Sequence, residues 1–506
     1  MAKAAAIRRG QAGADRQMIE QSDGAFQARP ARARLLMALV PAGMLLTLLL
    51  RAVWDVDIFW QLKLGELIVD RGGPVPTEPF AALHAGEPLP AVAWAGQAVM
   101  ASVRRIGGWD LLRLFDALCW LGGFWSVAAA CRWKGASLQA VTIALALVFV
   151  AALPTASVRP QSFACLCFGL LLALQRLDLR PLPMVALGLP VLVAWQNLHP
   201  SVSVAVAALN LAAGAGWYRR MRGRASSGPW GLSALGLLAV AAMFATPDGA
   251  SILATSAANA QASIAIGASE WFPIWIPANH ANGLPVLAIT LLTLWLIVRR
   301  GGRVDLGEAA VALGLTIMTL MAYRFVLFWA VAMVPVIARA AGSEGVRPGR
   351  SEWLAVLAPL VLVAVAAPLL APTRFAPTLP IAAVEHLRKT GVRGTIYGDF
   401  PFGGVIIDTG YPDWKVAYDG RYYRYARQEW QYNGGIENGI VPLVDVVRKW
   451  NPAAFVLDED HNAPLAEALS RSRAWQRIYA GEGGGRRIVV YVPRIIRRAS
   501  PGSALR

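Results

Sequence analysis

Residues 35–57 read LLMALVPAGMLLTLLLRAVWDVD, and this stretch decides the class of fold. Residues 35–53 form an apolar run of about the length that crosses the hydrocarbon core of a bilayer. Similar runs recur along the chain, which is 56% hydrophobic and only 16% charged. A soluble globular domain rarely has that balance. The sequence therefore predicts a polytopic α-helical membrane protein.

Eleven apolar runs are predicted to span the membrane, each close to the roughly twenty residues that a helix needs. They are centred on 35–53, 110–130, 138–156, 160–176, 182–197, 200–217, 229–246, 283–298, 306–322, 324–341 and 353–371. Because the first run begins only at residue 35, it is predicted to be a retained helix and not a cleaved signal peptide.

Lysine and arginine residues set the predicted orientation. The net charge is +17, which in a soluble protein would suggest a nucleic-acid partner. Here the basic residues concentrate in alternate loops, whereas 247–283 contains none. The positive-inside rule puts the basic tail 1–33 in the cytoplasm and the loop 54–109 outside. An odd number of spans also puts the C-terminal segment outside, and no nucleic-acid partner is expected.

Residues 372–495 are predicted to form a small extracytoplasmic α/β domain after the membrane domain 34–371, because short strand-like runs alternate there with helical ones. The strand-like runs are TIYGDF, GGVIID, KVAYDGR, AAFVLDED and RRIVVYVP. The helical runs are PLVDVVRKW and APLAEALSRS. The terminal segments 1–33 and 496–506 are predicted to be disordered.

Polar residues gather at the predicted outer boundary of the spans, where an unpartnered charge is costly. They are Asp55, Asp57, Arg159, Gln161, Asn197, His199, Glu270 and Arg324. Each has a plainer interpretation: an arginine can extend to the interface, and Asp55 with Asp57 can simply end a helix in water. Their common side of the membrane favours one polar cavity, which could bind a substrate.

The first outer loop carries a resemblance to a known family. The run DVDIFWQLKLGELIVDRGGPVPTEPFAALHAGEPLPAVAWAGQAV is similar to the first outer loop of bacterial multi-span proteins related to GT-C glycosyltransferases. The blocks VRPQSFACLCFGLLLALQR, WQNLHPSVSVAVAALNL, SEWFP and FGGVIIDTGYPDWKVAYDGRYYRY also resemble that set. Three positions depart from the family pattern: Gln61 replaces a common His, Glu78 a common Asp, and Ala93 the first residue of a His-Glu pair.

The resemblance implies an integral-membrane glycosyltransferase in the bacterial cytoplasmic membrane. It would move a sugar from a polyprenyl-phosphate donor to a glycan, lipid or protein acceptor on the outer, periplasmic face. Asp55 is the predicted general base, and Asp57 is predicted to orient the acceptor or a metal ion. Arg159 or Arg324 would stabilise the phosphate leaving group. A divalent cation, Mg²⁺ or Mn²⁺, could take part, although the sequence names no ligand set.

The C-terminal run AYDGRYYRYARQEW has two interpretations. Asp419, Gly420 and Arg421, with the tyrosines that follow, could face an acceptor sugar. Alternatively, the run ends a strand and packs its tyrosines against the membrane domain.

Two other functions stay open at the level of sequence. A transporter or flippase of a lipid-linked or small polar substrate would commonly show inverted repeats and polar residues midway along the spans. Neither pattern is found. A non-catalytic scaffold of envelope glycan assembly would keep the fold and lose the chemistry, and Gln61 and Ala93 leave that interpretation open.

Overall fold

The computed structural model describes residues 37–225, 227–300, 304–342 and 347–494. The two predicted disordered segments, 1–33 and 496–506, lie outside the described residues.

Thirteen helices of at least eight residues are described before residue 371. They are α1 (Val40–Leu50), α2 (Asp57–Arg71), α3 (Trp94–Trp133), α4 (Leu138–Ala152), α5 (Gln161–Leu177), α6 (Pro181–Leu198), α7 (Ser203–Met221), α8 (Trp230–Ala242), α9 (Ile252–Ala265), α10 (His280–Arg300), α11 (Leu306–Met321), α12 (Val326–Ala341) and α13 (Arg350–Leu370). Each predicted span coincides with one of them, and α2 and α9 lie outside the predicted spans.

Six of the described helices are long and apolar enough to cross a membrane: α3, α4, α6, α10, α12 and α13, some with a short 3₁₀ extension. Four more, α1, α5, α8 and α11, are apolar but shorter. The structure therefore supports a helical membrane domain, and the number of eleven spans stays a prediction.

Helix α12 forms the centre of this domain, since it is buried on nearly all sides. Helices α3 and α5 cross at very short range through glycines. A Cβ atom on Gly169 would lie 2.1 Å from the carbonyl oxygen of Gly123. Small residues permit such close crossings in membrane domains. Four buried cysteines contribute to packing without a disulfide: Cys119, Cys131, Cys165 and Cys167.

Helix α3 is kinked at a pair of adjacent glycines. Gly107 and Gly108 have non-helical backbone angles, and Gly108 has a φ of 63° that favours glycine. Residues 94–106 therefore form an arm that continues directly into the span. The arm packs along α2. Residues of these two helices share a hydrophobic cluster with residues of the C-terminal domain, which packs against them.

The C-terminal domain is a five-stranded mixed sheet with the strand order β2-β1-β3-β5-β4. Its elements are α14 (Ile381–Arg388), β1 (Gly394–Gly398), α15 (Gly403–Gly410), β2 (Trp414–Val416), α16 (Arg427–Glu437), α17 (Leu443–Trp450), β3 (Ala454–Asp458), α18 (Ala463–Arg471), β4 (Trp475–Gly483) and β5 (Arg486–Pro493). Strand β1 is parallel to both β2 and β3, and β5 is antiparallel to both β3 and β4.

One predicted strand of this domain is wrong. The run GGVIID is helix α15, because its two glycines allow close contact with backbone on both sides. A Cβ atom on Gly403 would lie 2.4 Å from the carbonyl oxygen of Tyr418, and one on Gly404 would lie 2.3 Å from that of Val56. A short apolar run is compatible with a buried strand or a buried helix by pattern alone. Helices α14 and α16 and strand β4 were not predicted.

Candidate functional site

A polar cavity of about 230 Å³ lies where the helical domain meets the C-terminal sheet domain. Six of the eight predicted site residues line it: Asp57, Arg159, Gln161, His199, Glu270 and Arg324. They come from five separate parts of the chain, all at the same end of the helices. Asp55 and Asn197 do not line the cavity.

Asp57 is the first residue of α2, and its carboxylate belongs to the cavity wall. Its Oδ1 accepts a hydrogen bond of 3.0 Å from the indole Nε1 of Trp60. No cation in the described part of the chain pairs with it. Burial, together with the negative charge of Asp55, raises the pKa of the Asp57 carboxyl to about 7. A carboxyl that titrates near neutral pH is suited to exchange protons with a bound substrate.

Asp55 is buried next to the cavity and contacts two of the residues that line it. Its side chain is 4% exposed, and its Oδ1 accepts a 2.9 Å hydrogen bond from the backbone N–H of Asp57. Its Oδ2 lies 3.4 Å from Nη1 of Arg159. Asp55 therefore fixes both the start of α2 and a cation of the cavity.

Arg159 is held between acceptors in the turn before α5. Its guanidinium donates to Oε1 of Gln161 from Nε at 2.9 Å, and its Nη2 lies 3.8 Å from Oε2 of Glu270. The backbone N–H of Arg159 donates to Oδ1 of Asp116, a buried residue of α3. These contacts fix the position of a positive charge on the cavity wall.

Arg324 is the second cation of the cavity and pairs with no carboxylate in the described residues. Its guanidinium lies 3.6 Å from the ring centroid of Trp271, which is a stacked cation–π geometry. Nearby, burial and the positive charges of the two arginines lower the pKa of His199 to about 3, so its imidazole is neutral at physiological pH. The Nδ1 of His199 lies 2.9 Å from Oγ of Ser201. Arg324 is therefore available to an anion.

Asn197 stabilises the helix ends beside the cavity. Its Oδ1 accepts a 2.8 Å hydrogen bond from Nε1 of Trp94, which begins α3. Its Nδ2 donates to the carbonyl oxygens of Val193 and Ala245. All of its side-chain contacts are thus to the protein.

The C-terminal domain supplies one wall through the DGR segment. A Cβ atom on Gly420 would lie 2.0 Å from Oδ1 of Asp57, so only glycine permits this contact. Tyr422 and Tyr423 follow it and line the cavity.

The two charged residues of the DGR segment do not face the cavity. Arg421 is fully buried and lies 2.6 Å from both Glu78 Oε2 and Asp419 Oδ2. Glu78 also accepts the backbone N–H groups of Phe80 and Ala81. The segment therefore combines both sequence-based interpretations, because its charges join the domains while its glycine and tyrosines reach the site. Glu78, which stands where the family commonly has Asp, forms an ion pair with Arg421.

Other polar side chains of the cavity were not assigned from the sequence: Gln61, Gln97, Thr255, Ser256, Asn259 and Ser263. The last four lie on α9, and the spacing of Thr255, Asn259 and Ser263 puts them on one helix face. That spacing, within the stretch that lacks Lys and Arg, is a signal from which they could have been found.

The carboxylates near the cavity do not form a metal-binding set. Asp55 and Glu270 both point an oxygen at Arg159, so a guanidinium already occupies the place between them. In the part of the chain that the structure describes, no group of three or more His, Cys, Asp or Glu side chains could hold an ion. The cation expected as a possibility therefore has no fitting ligand set, and the positive charge of this site comes from arginine.

Comparisons with known proteins show a resemblance of fold. No family model matches the sequence, and no curated protein sequence matches it. Twelve chains of solved structures resemble the structure. One is the archaeal oligosaccharyltransferase AglB from Archaeoglobus fulgidus, solved in complex with an inhibitory peptide and a dolichol-phosphate. It matches with a TM-score of 0.53 and 11% identity, over 90% of this chain and 74% of that one. The chain therefore shares the overall fold of that enzyme.

Proposed function

We propose that this protein is an integral-membrane glycosyltransferase. It takes a sugar from a polyprenyl-phosphate-linked donor and transfers it to an acceptor at the cavity described above. In this proposal the membrane is the bacterial cytoplasmic membrane, the segment 1–33 is cytoplasmic, and the sheet domain with the cavity lies on the periplasmic side. The membrane domain is residues 34–371, and the outer domain is residues 372–495.

One observation carries the proposal. Among the described residues, the Asp57 carboxylate has no cation within 4 Å and the Arg324 guanidinium has no carboxylate within 4 Å, although both line the cavity. Both side chains are half-buried, and charges withdrawn from water are normally paired, so the two groups without an ion pair indicate a substrate that has a proton to lose and an anion to bind. A hydroxyl acceptor and a lipid-linked phosphate together have both properties. The shared fold with an enzyme solved with a dolichol-phosphate supports the same substrate class.

The transfer can be written with these residues. The carboxylate of Asp57 accepts the proton of an acceptor hydroxyl while the oxygen of that hydroxyl attacks the anomeric carbon of the donor sugar. The bond between that carbon and the phosphate oxygen breaks, and its electron pair stays with the phosphate. Arg159 and Arg324 stabilise the negative charge that develops on this leaving group. The neutral His199 can contribute one further hydrogen bond.

The geometry favours Asp57 as the base and Asp55 as a positioning residue. The sequence predicts the reverse, but Asp55 has one oxygen on the Asp57 backbone and the other facing Arg159. Of these two carboxylates, Asp57 lines the cavity and Asp55 does not. Asp55 would act through the residues that it holds.

The test uses the full-length protein in lipid nanodiscs with synthetic short-chain polyprenyl-phosphate sugars. Donor cleavage is measured as released polyprenyl phosphate, with membrane glycan extracts as the source of acceptor. Asp57→Asn is expected to lower cleavage by roughly a hundredfold or more, as for loss of a general base. Asp70→Asn is the control, because Asp70 is exposed on the same helix and pairs with Arg105.

Two results contradict the proposal. One is a rate for Asp57→Asn equal to that of the wild type and of Asp70→Asn. The other is movement of intact lipid-linked sugar across the membrane of proteoliposomes without cleavage, which would establish a transporter. Absence of both cleavage and transport in the wild type would favour the scaffold.

A further inference from the structure

Two glutamine side chains in the cavity have an oxygen with no hydrogen-bond donor among the described residues. They are Gln61 and Gln97, and in both the buried atom is Oε1. Gln97 is 2% exposed, and its Nε2 donates to the carbonyl oxygen of Val92 at 3.1 Å. That bond fixes the orientation of the amide, so Gln97 offers the cavity an acceptor and not a donor. A buried acceptor without a donor is rare in proteins and requires an explanation.

The two glutamines share a wall with the proposed base. Asp57, Gln61 and Gly65 are spaced four residues apart, so they follow one another along one face of α2. At the last of these positions α2 meets the arm of α3, since a Cβ atom on Gly65 would lie 2.2 Å from the carbonyl oxygen of Gln97. Asp57, Gln61 and Gln97 therefore belong to adjoining parts of one cavity wall.

The carboxylate and the two amide oxygens of this wall accept hydrogen bonds, and the Nε2 of Gln61, which has no partner among the described residues, can donate one. A phosphate ester is a poor match for the three acceptors, because its oxygens are acceptors as well. The cavity offers phosphate its arginines instead, on the turns before α5 and α12. This wall therefore fits a ligand with several hydroxyl groups close together, since a hydroxyl both donates and accepts, and a sugar ring has such groups.

We propose that Gln61 and Gln97 form the subsite of a carbohydrate acceptor. One ring hydroxyl lies at Asp57 and becomes the new glycosidic oxygen, while other hydroxyls of the same sugar donate to the two glutamine oxygens. This inference rests on the proposed function and narrows it, since it selects a glycan over a protein or a simple lipid as the acceptor. It also gives Gln61, a departure from the family pattern, a role in acceptor recognition.

The experiment measures binding and not turnover. Saturation-transfer NMR is recorded on the full-length protein in nanodiscs with a panel of methyl hexopyranosides and their monodeoxy counterparts. A short Asn-containing peptide serves as the competing acceptor class. Gln97→Leu is compared with Gln175→Leu, because Gln175 also has a buried oxygen without a donor but lines a different cavity.

At least one glycoside is expected to bind the wild type. Its affinity is expected to fall by about tenfold or more in Gln97→Leu, since a sugar hydroxyl would be left without an acceptor, and to be unchanged in Gln175→Leu. One monodeoxy glycoside should bind the wild type as weakly as the parent glycoside binds Gln97→Leu. The Gln97→Leu protein should bind the parent glycoside and this monodeoxy glycoside with equal affinity.

The inference is overturned by equal glycoside binding to the two leucine variants. It is also overturned if the wild type binds only the peptide or no probe at all. Donor cleavage is measured separately, so a protein that cleaves the lipid-linked sugar but fails this test keeps the proposed function and loses only the acceptor assignment.

Discussion

The helical domain has a cavity at each end, and the two differ in how their charges are paired. The cavity at the far end, about 460 Å³ in volume, contains the buried acid Glu308 between two arginines. Glu308 lies 2.7 Å from Arg176 and 2.9 Å from Arg339. The cavity beside the sheet domain is half that size and holds Asp57 and Arg324 without ionic partners in the described residues.

This difference shows that charge pairing is a better guide to function here than volume. In ion pairs such as those of Glu308, the attraction between the two charges offsets the cost of removing them from water. Such pairs need no ligand. Half-buried charges without an ion pair cost stability, so Asp57 and Arg324 indicate a use outside folding. The far cavity is therefore interpreted as structural, and the near cavity as the place of chemistry.

The largest effect is expected from removing the unpaired cation. Arg324→Met should lower donor cleavage by roughly a hundredfold to a thousandfold, because a leaving phosphate loses a preorganised partner. Arg219→Met is the matched change at the far end, where Arg219 pairs with Asp305 at 3.0 Å. Its cleavage rate should stay close to that of the wild type. Equal losses in the two variants would remove the distinction between the cavities.

Gly420→Ala should lower cleavage by about a hundredfold, since small displacements of a catalytic group have effects of that size. The added methyl group would overlap Oδ1 of Asp57 and push the two domains apart. Gly434→Ala is the control in the same domain, because a Cβ atom there meets nothing within 4 Å. A fully active Gly420→Ala protein would show that this domain does not shape the site.

Glu308→Gln should reduce stability more than chemistry. It leaves two arginines without their carboxylate, and breaking a buried ion pair of this kind costs about 3 kcal/mol. The thermal midpoint, measured by fluorescence in detergent, should fall by several degrees while cleavage at low temperature persists. Glu270→Gln is the counterpart at the near end, where the side chain is 44% exposed and its midpoint should barely change.

The rate of cleavage should rise about tenfold between pH 6 and pH 8. The base must be deprotonated to act, and the pKa of Asp57 is raised to about 7 by burial and by Asp55. The pH–rate profile of the wild type checks this. Asp55→Asn should move the profile to lower pH, since it removes the second cause of the shift. A profile that is flat from pH 6 to pH 8 contradicts the assignment of Asp57.

The smallest effect is expected on the stability of Asp57→Asn. This variant loses activity, but its thermal midpoint should be higher than that of the wild type. The pKa of Asp57 rises from its usual 3.8 to about 7 on folding, so the folded protein binds more protons than the unfolded chain between these values. Wild-type stability therefore decreases as the pH rises through this window. Asp57→Asn does not titrate, so its thermal midpoint should exceed that of the wild type by a few degrees at pH 8 and converge with it near pH 4.

The positions of the helices were accessible from the sequence because apolar periodicity and length are local properties. Each predicted span coincides with a helix, and the small sheet domain was recognised from its alternating runs. GGVIID was misassigned because its conformation depends on glycine contacts with Val56 and Tyr418, which are distant in sequence. Local pattern cannot report contacts of that kind.

The site was predictable only in part, for the same reason. A predicted common side of the membrane pointed to residues such as Arg159 and Arg324, and both line the cavity. The different tasks of Asp55 and Asp57 depend on which carboxylate faces Arg159 and which meets Gly420, and a spacing of two residues cannot show that. The pairing of Arg421 with Glu78 joins positions 343 residues apart.

The wall made by Gly420 and Tyr422 also determines when during biosynthesis the cavity can exist. Ribosomes make the first loop and every helix of the membrane domain before they reach this wall. In a nascent chain Asp57 therefore lacks the wall that Gly420 and Tyr422 provide. The site is completed only when Arg421 meets Glu78 and the sheet domain docks.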